Sequence, residues 1–300
     1  MSEIKKSGII TICGRPNVGK STLTNALVGE KVAIVTNKPQ TTRNRITAVL
    51  NRGESQFVFV DTPGLHKART RLGDYMVNVV KESVADVDGV MLLVEPIANI
   101  GAPEQQLIDR IKTLGCPSVL VINKVDTLEK KEDLLAVIQT YGQAHEFDAV
   151  VPLSARTREG VDELLNVLEG YLPVGPQLFP EDMISDQPER QMMAEILREK
   201  LLLNLDKEIP HGTAVEITKF TERDDEVIEV DATIYCEKNS HKGIIIGKGG
   251  GMLKKVSSSA RRDMEKFMGT KVFLQTWVKV KENWRDNPAA IQNFGYRQDQ

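Results

Sequence analysis

The sequence predicts an α/β domain with a mostly parallel sheet, followed by a smaller α+β domain. Three observations carry this. Short β-branched apolar runs alternate with amphipathic stretches through residues 1–172. Pro173, Gly175, Pro176, Pro180 and Pro188 then fall close together, and no helix runs through them. Beyond them the order changes to helix, two strands, two helices around a glycine loop, and a last strand. The expected division is a first domain over 1–172, a linker over 173–188 and a second domain over 189–300. A length of 300 residues suits two domains better than one core.

In the first part, 8–13, 47–50, 57–60, 90–94, 119–122 and 149–152 read as buried strands. Residues 21–28, 72–84, 103–114, 132–141 and 160–171 read as amphipathic helices. Strand–helix alternation implies parallel strands with helices on both faces. The runs 47–50 and 57–60, with 51–56 as a turn, predict one antiparallel hairpin. In the second part the expected elements are a helix over 189–205, strands over 213–220 and 226–237, and a short helix over 241–246. A glycine loop at 247–250, a helix over 251–268 and a strand over 271–280 follow, with a short helical segment over 288–294. Trp277 lies on an alternating strand and is expected in the core; Trp284 sits in the tail with no assigned place.

Composition narrows the function classes. The hydrophobic share of 41% and charged share of 27% are those of an ordinary globular protein. A net charge of −3 supplies no global attraction to nucleic acid or membrane, so such a partner has to be met by a local patch. The three cysteines, Cys13, Cys116 and Cys236, lack metal-ligand spacing and are expected as buried reduced thiols of a cytoplasmic protein. Residues 1–7 lack the apolar centre of a secretory signal, and the longest apolar runs reach about a quarter of a membrane span. Peripheral contact with a membrane stays compatible with this; insertion does not.

The run Gly14-Arg15-Pro16-Asn17-Val18-Gly19-Lys20-Ser21 matches the phosphate-loop pattern, and it follows a predicted strand and opens a predicted helix. Glycines let the backbone wrap close to phosphates, with N–H groups and the helix N-terminus facing the anion. Lys20 is expected to reach the terminal phosphates and the Ser21 hydroxyl to bind Mg²⁺. Asp61-Thr62-Pro63-Gly64, with Leu65 next, follows the strand at 57–60. Asp61 is placed to hold Mg²⁺ through water and the Gly64 N–H to meet a γ-phosphate. Between these elements lies 37–43, where Thr42, favoured over Thr41, would complete the Mg²⁺ shell when a γ-phosphate is present.

Asn123-Lys124-Val125-Asp126 decides the base. A carboxylate accepts two hydrogen bonds from guanine N1–H and its 2-amino group, donors that adenine lacks in that arrangement, so Asp126 selects GTP and GDP and disfavours an ATP enzyme. Lys124 is expected to lie across the ring. Ser154-Ala155-Arg156 is a further candidate, offering a backbone N–H to the guanine oxygen. Lys20, Thr42 and Gly64 are the residues expected at the reacting phosphate.

These elements, in this order, resemble the translation-factor-like GTPases. The Pro39-Gln40-Thr41-Thr42-Arg43 loop, the Asp-Thr-Pro-Gly-Leu-His stretch at 61–66 and the second domain narrow the likeness, from about Gly8 to Tyr296, to the Era family of bacterial GTPases. The resemblance implies a P-loop GTPase domain followed by a type II K-homology domain. Gly243-Ile-Ile-Ile246-Gly247-Lys248-Gly249-Gly250 looks like the glycine loop of such a domain, which lets single-stranded RNA backbone approach closely. Charge agrees locally: 238–271 holds nine Lys or Arg against two acids, while 181–300 holds nineteen against twenty-one. Lys248, Lys254, Lys255, Arg261 and Arg262 form the expected phosphate-contacting set. By the same likeness the RNA is the 3′ end of 16S ribosomal RNA, the role is maturation of the 30S subunit, and no DNA partner is expected. Asn17 resembles the asparagine that binds K⁺ in potassium-dependent relatives. Ras-like enzymes carry a water-orienting glutamine after the Asp-x-x-Gly glycine; here that position is Leu65, which cannot polarise water. A second reading, of another class, is a membrane-associated signalling GTPase whose basic stretch docks protein or anionic lipid.

Overall fold

Strands and helices alternate along the first half of the chain, as βαβ connections require. The computed structural model describes residues 4–64, 70–83, 87–130, 132–223 and 226–296. In chain order the elements are β1 (Lys6–Gly14), α1 (Lys20–Val28), β2 (Ile46–Arg52), β3 (Ser55–Asp61), α2 (Arg71–Glu82), β4 (Gly89–Val94), α3 (Ala102–Ile111), β5 (Ser118–Ile122), α4 (Asp133–Ala144), β6 (Ala149–Pro152) and α5 (Val161–Glu169). They continue with α6 (Glu189–Asn204), β7 (Ala214–Glu222), β8 (Val227–Cys236), α7 (Asn239–Ile246), α8 (Gly251–Met268), β9 (Lys271–Val280) and α9 (Pro288–Asn293).

The chain divides into two compact units. The first comprises 1–33, 42–67 and 76–186; the second comprises 34–41, 68–75 and 187–300. In the first, six strands lie in the order β2-β3-β1-β4-β5-β6. The β2–β3 hairpin is antiparallel, with Val49 opposite Val58, and every other pairing is parallel. Alternation along each strand sends side chains to opposite faces. Met91 and Leu93 of β4 join the cluster packed by Leu23 and Leu27 of α1 and Leu164 and Leu168 of α5. Val90, Leu92 and Val94 join the one packed by Leu107 and Ile111 of α3 and Tyr141 of α4. Both faces are covered, which is why these strands read as continuous apolar runs. Residues of the proline-rich stretch bond to this unit: Val49 N–H donates to Ile184 O at 2.8 Å and Gln56 Nε2 to Phe179 O at 2.9 Å.

The second unit holds a three-stranded sheet in the order β7-β8-β9, with β8–β9 parallel. One face is covered by α6 and α8, whose Met193, Leu197, Val256, Ala260 and Met264 are buried. Trp277, expected in that core, lies on the other face and is 43% exposed, as is Phe273 at 45%. The phase of β9 is set by Val272, Leu274, Val278 and Val280, which point inward, so the larger Trp277 is carried outward. Trp284 is fully buried; its Nε1–H donates to Gly212 O at 2.9 Å, and it packs edge-on against Phe294.

Segment 34–41 is fastened within this second unit by α6. The buried Arg198 guanidinium donates to the carbonyls of Gln40 and Thr41, and Glu199 accepts the Val35 N–H at 2.9 Å. Among the described residues all three cysteines are free thiols; Cys13 and Cys236 are buried and Cys116 is half-buried. No helix of the described residues is long and apolar enough to cross a membrane.

Candidate nucleotide-binding site

The predicted site residues of the first unit lie at the carboxyl ends of parallel strands, where an open α/β sheet offers its crevice. β1 ends at Gly14, β3 at Asp61, β5 at Ile122 just before Asn123, and β6 at Pro152 just before Ser154. Glycine at 14 and 19 is a packing requirement. A Cβ on Gly14 would collide with Leu93 O, and one on Gly19 with the Asn123 side chain. A Cβ on Gly64 would lie 2.7 Å from the Pro16 backbone, so the Asp61–Gly64 turn rests directly on the phosphate loop.

Lys20 begins α1 and is 6% exposed; its ammonium donates to Gly14 O at 3.0 Å and Arg15 O at 2.9 Å. Burial pulls its pKa down to about 8 against the opposing pull of Asp61. Asp61 is fully buried, and burial raises its carboxyl to about 6 even though Lys20 and the Ser21 hydroxyl favour the charged form. The Ser21 hydroxyl donates to Asp61 Oδ2 at 2.7 Å and lies 2.7 Å from Thr42 Oγ1. Thr41 is turned elsewhere, its hydroxyl donating to Lys38 O at 2.6 Å. Ser21, Thr42 and Asp61 thus bring three oxygens together, and Asp61 Oδ1 is buried without a hydrogen-bond partner. A hard divalent cation such as Mg²⁺ suits that oxygen donor set. Thr62 is buried and donates its hydroxyl to Ile12 O at 2.9 Å, which makes it a brace for the turn. Pro63 is buried beside it. Leu65 lies outside the described residues.

Asn123 ties three loops. Its Nδ2 donates to Val18 O at 2.8 Å and its Oδ1 accepts the Ala155 N–H at 2.9 Å. That second bond engages the Ala155 N–H, one of the backbone N–H groups of the 154–156 segment expected to face a guanine oxygen. Lys124, in left-handed backbone geometry at φ 63°, donates its ammonium to Asn17 O at 2.6 Å. Val125 N–H donates to Leu153 O at 3.2 Å, closing the loop onto the end of β6. The Asp126 carboxylate accepts from Ser154 Oγ at 2.6 Å and from the Arg156 guanidinium at 2.5 Å. The Ser154 hydrogen bond is the leading reason that its pKa falls below the ordinary carboxylate value. An acceptor held ionised in this way suits the donor edge of guanine. Sequence reasoning missed Glu95 and Glu104, which pair with Arg15; the signal available was an acid immediately after β4 and another in the first turn of α3.

In the second unit, α7 ends at Ile246 and the chain turns through Gly247, Gly249 and Gly250, with φ of 74°, 57° and 78°. A Cβ on Gly247 would lie 2.7 Å from Met252 Cβ, whereas Gly249 and Gly250 face open space. Lys248, Lys254, Lys255, Arg261 and Arg262 are exposed beside this turn and along α8, as is Gly243. Arg261 is paired with Glu265 at 2.6 Å, an i,i+4 bridge that occupies one of the expected RNA contacts.

A family model described as 50S ribosome-binding GTPase matches residues 9–124, and a KH domain model matches 208–285. GTPase Era of Ruminiclostridium cellulolyticum is 50% identical over 97% of this chain and 98% of its own length; that of Clostridioides difficile is 49% identical over the same shares. This chain belongs to the Era family of GTPases. A solved structure of a point variant of Aquifex aeolicus Era bound to GDP·AlF₄⁻ superposes with a TM-score of 0.94 at 37% identity, over 98% of this chain and all of that one. Another, Era in complex with MgGDPNP and nucleotides 1506–1542 of 16S ribosomal RNA, superposes with a TM-score of 0.94 at 36% identity and the same coverage. As an Era-family member the chain is an enzyme that hydrolyses GTP to GDP and phosphate.

Two outcomes follow for the nucleotide site. Asp126→Asn converts an acceptor into a mixed donor–acceptor, so GTP affinity falls on the order of 10²-fold or more, as when a buried donor edge loses its partner, and xanthine nucleotide affinity rises. Fluorescent-nucleotide titration reads both; unaltered GTP affinity contradicts the assignment. The second concerns pH. Asp61 takes up its proton more readily folded, at about 6, than unfolded, near 3.8. Its contribution to the ligand-free protein is therefore fully present below pH 3.8 and lost as pH rises through 6. Wild-type melting temperature falls relative to that of Asp61→Asn across this window; parallel curves contradict the burial argument.

Proposed function

We propose that this Era-family GTPase is a GTP-controlled switch that binds a single-stranded segment near the 3′ end of 16S ribosomal RNA and acts in the cytoplasm in maturation of the 30S subunit. The observation that carries the RNA part is the glycine turn at 247–250, left-handed at three of its four residues and flanked by exposed lysines. Backbone without side chains, beside positive charge, admits a phosphate–sugar chain at close range. The Era complex with nucleotides of 16S ribosomal RNA supports the same reading.

In the first unit, Lys20 holds the terminal phosphates and the Gly64 N–H meets the γ-phosphate. Ser21, Thr42 and Asp61 are the residues that would hold Mg²⁺, which when bound neutralises charge between the β- and γ-phosphates. Asp61 is ionised for that role at neutral pH, since its carboxyl titrates at about 6. Asn17, exposed and at φ 66° in the phosphate loop, would contribute to a K⁺ site that supplies positive charge beside the leaving phosphate. Segment 34–41 runs straight into Thr42 and lies in the same compact unit as the RNA turn. That shared membership supports coupling between nucleotide state and RNA capture.

A membrane-docking signalling GTPase has less behind it: a lipid surface requires basic charge but not the glycine turn. Binding to a short single-stranded 16S 3′-end oligonucleotide and to anionic vesicles separates the two. Lys248→Asp with Gly249→Asp abolishes oligonucleotide binding while GTP hydrolysis stays measurable; RNA affinity that survives the double change refutes the groove assignment. With Leu65 in place of glutamine, intrinsic turnover is about 10⁻⁴–10⁻² s⁻¹, as in unassisted switch GTPases. Replacing K⁺ by Na⁺ lowers that rate, and a rate indifferent to the exchange removes the potassium site.

A further inference from the structure

A chain of four charged side chains runs from the phosphate loop to the base-reading loop. The Arg15 guanidinium spans two acids, with Nε 3.0 Å from Glu104 Oε1 and a terminal nitrogen 3.0 Å from Glu95 Oε2. The other oxygen of Glu95 lies 2.6 Å from the Lys124 ammonium. Lys124 in turn donates to Asn17 O, back in the phosphate loop. Two acids and two bases alternate, so charge is matched at every contact.

The far end of this chain is fixed. Glu104 is 1% exposed on α3, and its carboxylate accepts from Gly101 N–H at 2.7 Å and Tyr141 Oη–H at 3.2 Å as well as from Arg15. A buried carboxylate with three donors is not free to move. Glu95 follows β4 directly and is about a quarter exposed. Each of its oxygens goes to a different loop, and without it the cations of Arg15 and Lys124 would face one another with no acid between them.

We propose that Glu95 is a positioning residue for nucleotide binding: it joins Arg15 of the phosphate loop to Lys124 of the base loop, so that phosphate and guanine are met by one preorganised surface. This rests on the nucleotide site already described. Glu95 touches neither phosphate nor base in this assignment. With its ammonium held between Glu95 and Asn17 O, Lys124 has its alkyl stem fixed for contact with the purine, and the order that nucleotide would otherwise impose on both loops is already present. The contribution is the same for GDP and GTP, because neither contact lies at the γ-phosphate.

The test is Glu95→Gln in the full chain, read by fluorescent GDP and GTP titration and by single-turnover hydrolysis of bound GTP. Weakening two charge-assisted pairs at a partly exposed site, those to Arg15 and Lys124, predicts dissociation constants raised about tenfold, by a common factor for both nucleotides, with the single-turnover rate within about twofold of wild type. Glu95→Asp keeps the charge but is one methylene too short to reach both partners, so its affinity falls between the two. It also serves as the measured variant if Glu95→Gln fails to fold. Dissociation constants within about twofold of wild type overturn the proposal. So does a slower hydrolytic step with unchanged affinity, or a lower melting temperature without weaker nucleotide binding. Failure of the wild-type protein to bind GDP in the same assay would refute the nucleotide site itself and is thereby distinguished.

Discussion

The nucleotide site depends on one buried amide. Asn123 donates to Val18 O and accepts from Ala155 N–H, so a single side chain of fixed shape sets the spacing of the phosphate loop, the base loop and the loop after β6. Gly19 must lack a side chain because that amide occupies the space. The parallel sheet makes the arrangement possible by delivering all the loops to one edge. The antiparallel β2–β3 hairpin delivers Asp61 there as well, through a short turn after β2. Fold and site are thus one construction: strand register decides which loops meet, and the amide decides how closely.

Burial gives the polar residues at that edge their character. Lys20 and Asp61 are both enclosed, and each is pushed toward its neutral form by loss of water while being drawn back by the other. A buried carboxylate oxygen with no partner and a buried ammonium satisfied only by two carbonyls are costly in isolation. Phosphate and a divalent cation are the partners that would satisfy them. Charge at that edge is incompletely satisfied, whereas in the base loop Asp126 already accepts two hydrogen bonds.

The sequence carried much of this. Continuous apolar runs with helical stretches between them specify a parallel sheet covered on both faces, and the positions of Gly14, Asp61 and Asn123 after those runs place the nucleotide loops. Placing Thr42, and not Thr41, at Ser21 follows in the structure from Thr41 being turned to Lys38 O. What spacing could not show were interactions between side chains distant in sequence. Glu95 and Glu104 carry no motif, and their pairing with Arg15 exists only once β4 and α3 are packed against β1. Trp277 was misread because residue size is a poor guide to strand phase; the small Val272 and Val278 fix which face is inward. Trp284 had no periodic neighbours to place it, since its burial rests on Phe294 and on Gly212 O.

Segment 34–41, whose next residue is Thr42, is fastened by Arg198 and Glu199 inside the compact unit that carries the glycine turn. If nucleotide state changes RNA affinity, bound RNA changes nucleotide affinity by the same factor. The most direct measurement is the single-turnover GTPase rate with and without a saturating short single-stranded 16S 3′-end oligonucleotide. The rate shifts when the oligonucleotide is bound, and the shift disappears in the Lys248→Asp, Gly249→Asp protein. A rate that is unchanged while the oligonucleotide is bound would contradict the claim that this GTPase is an RNA-linked switch.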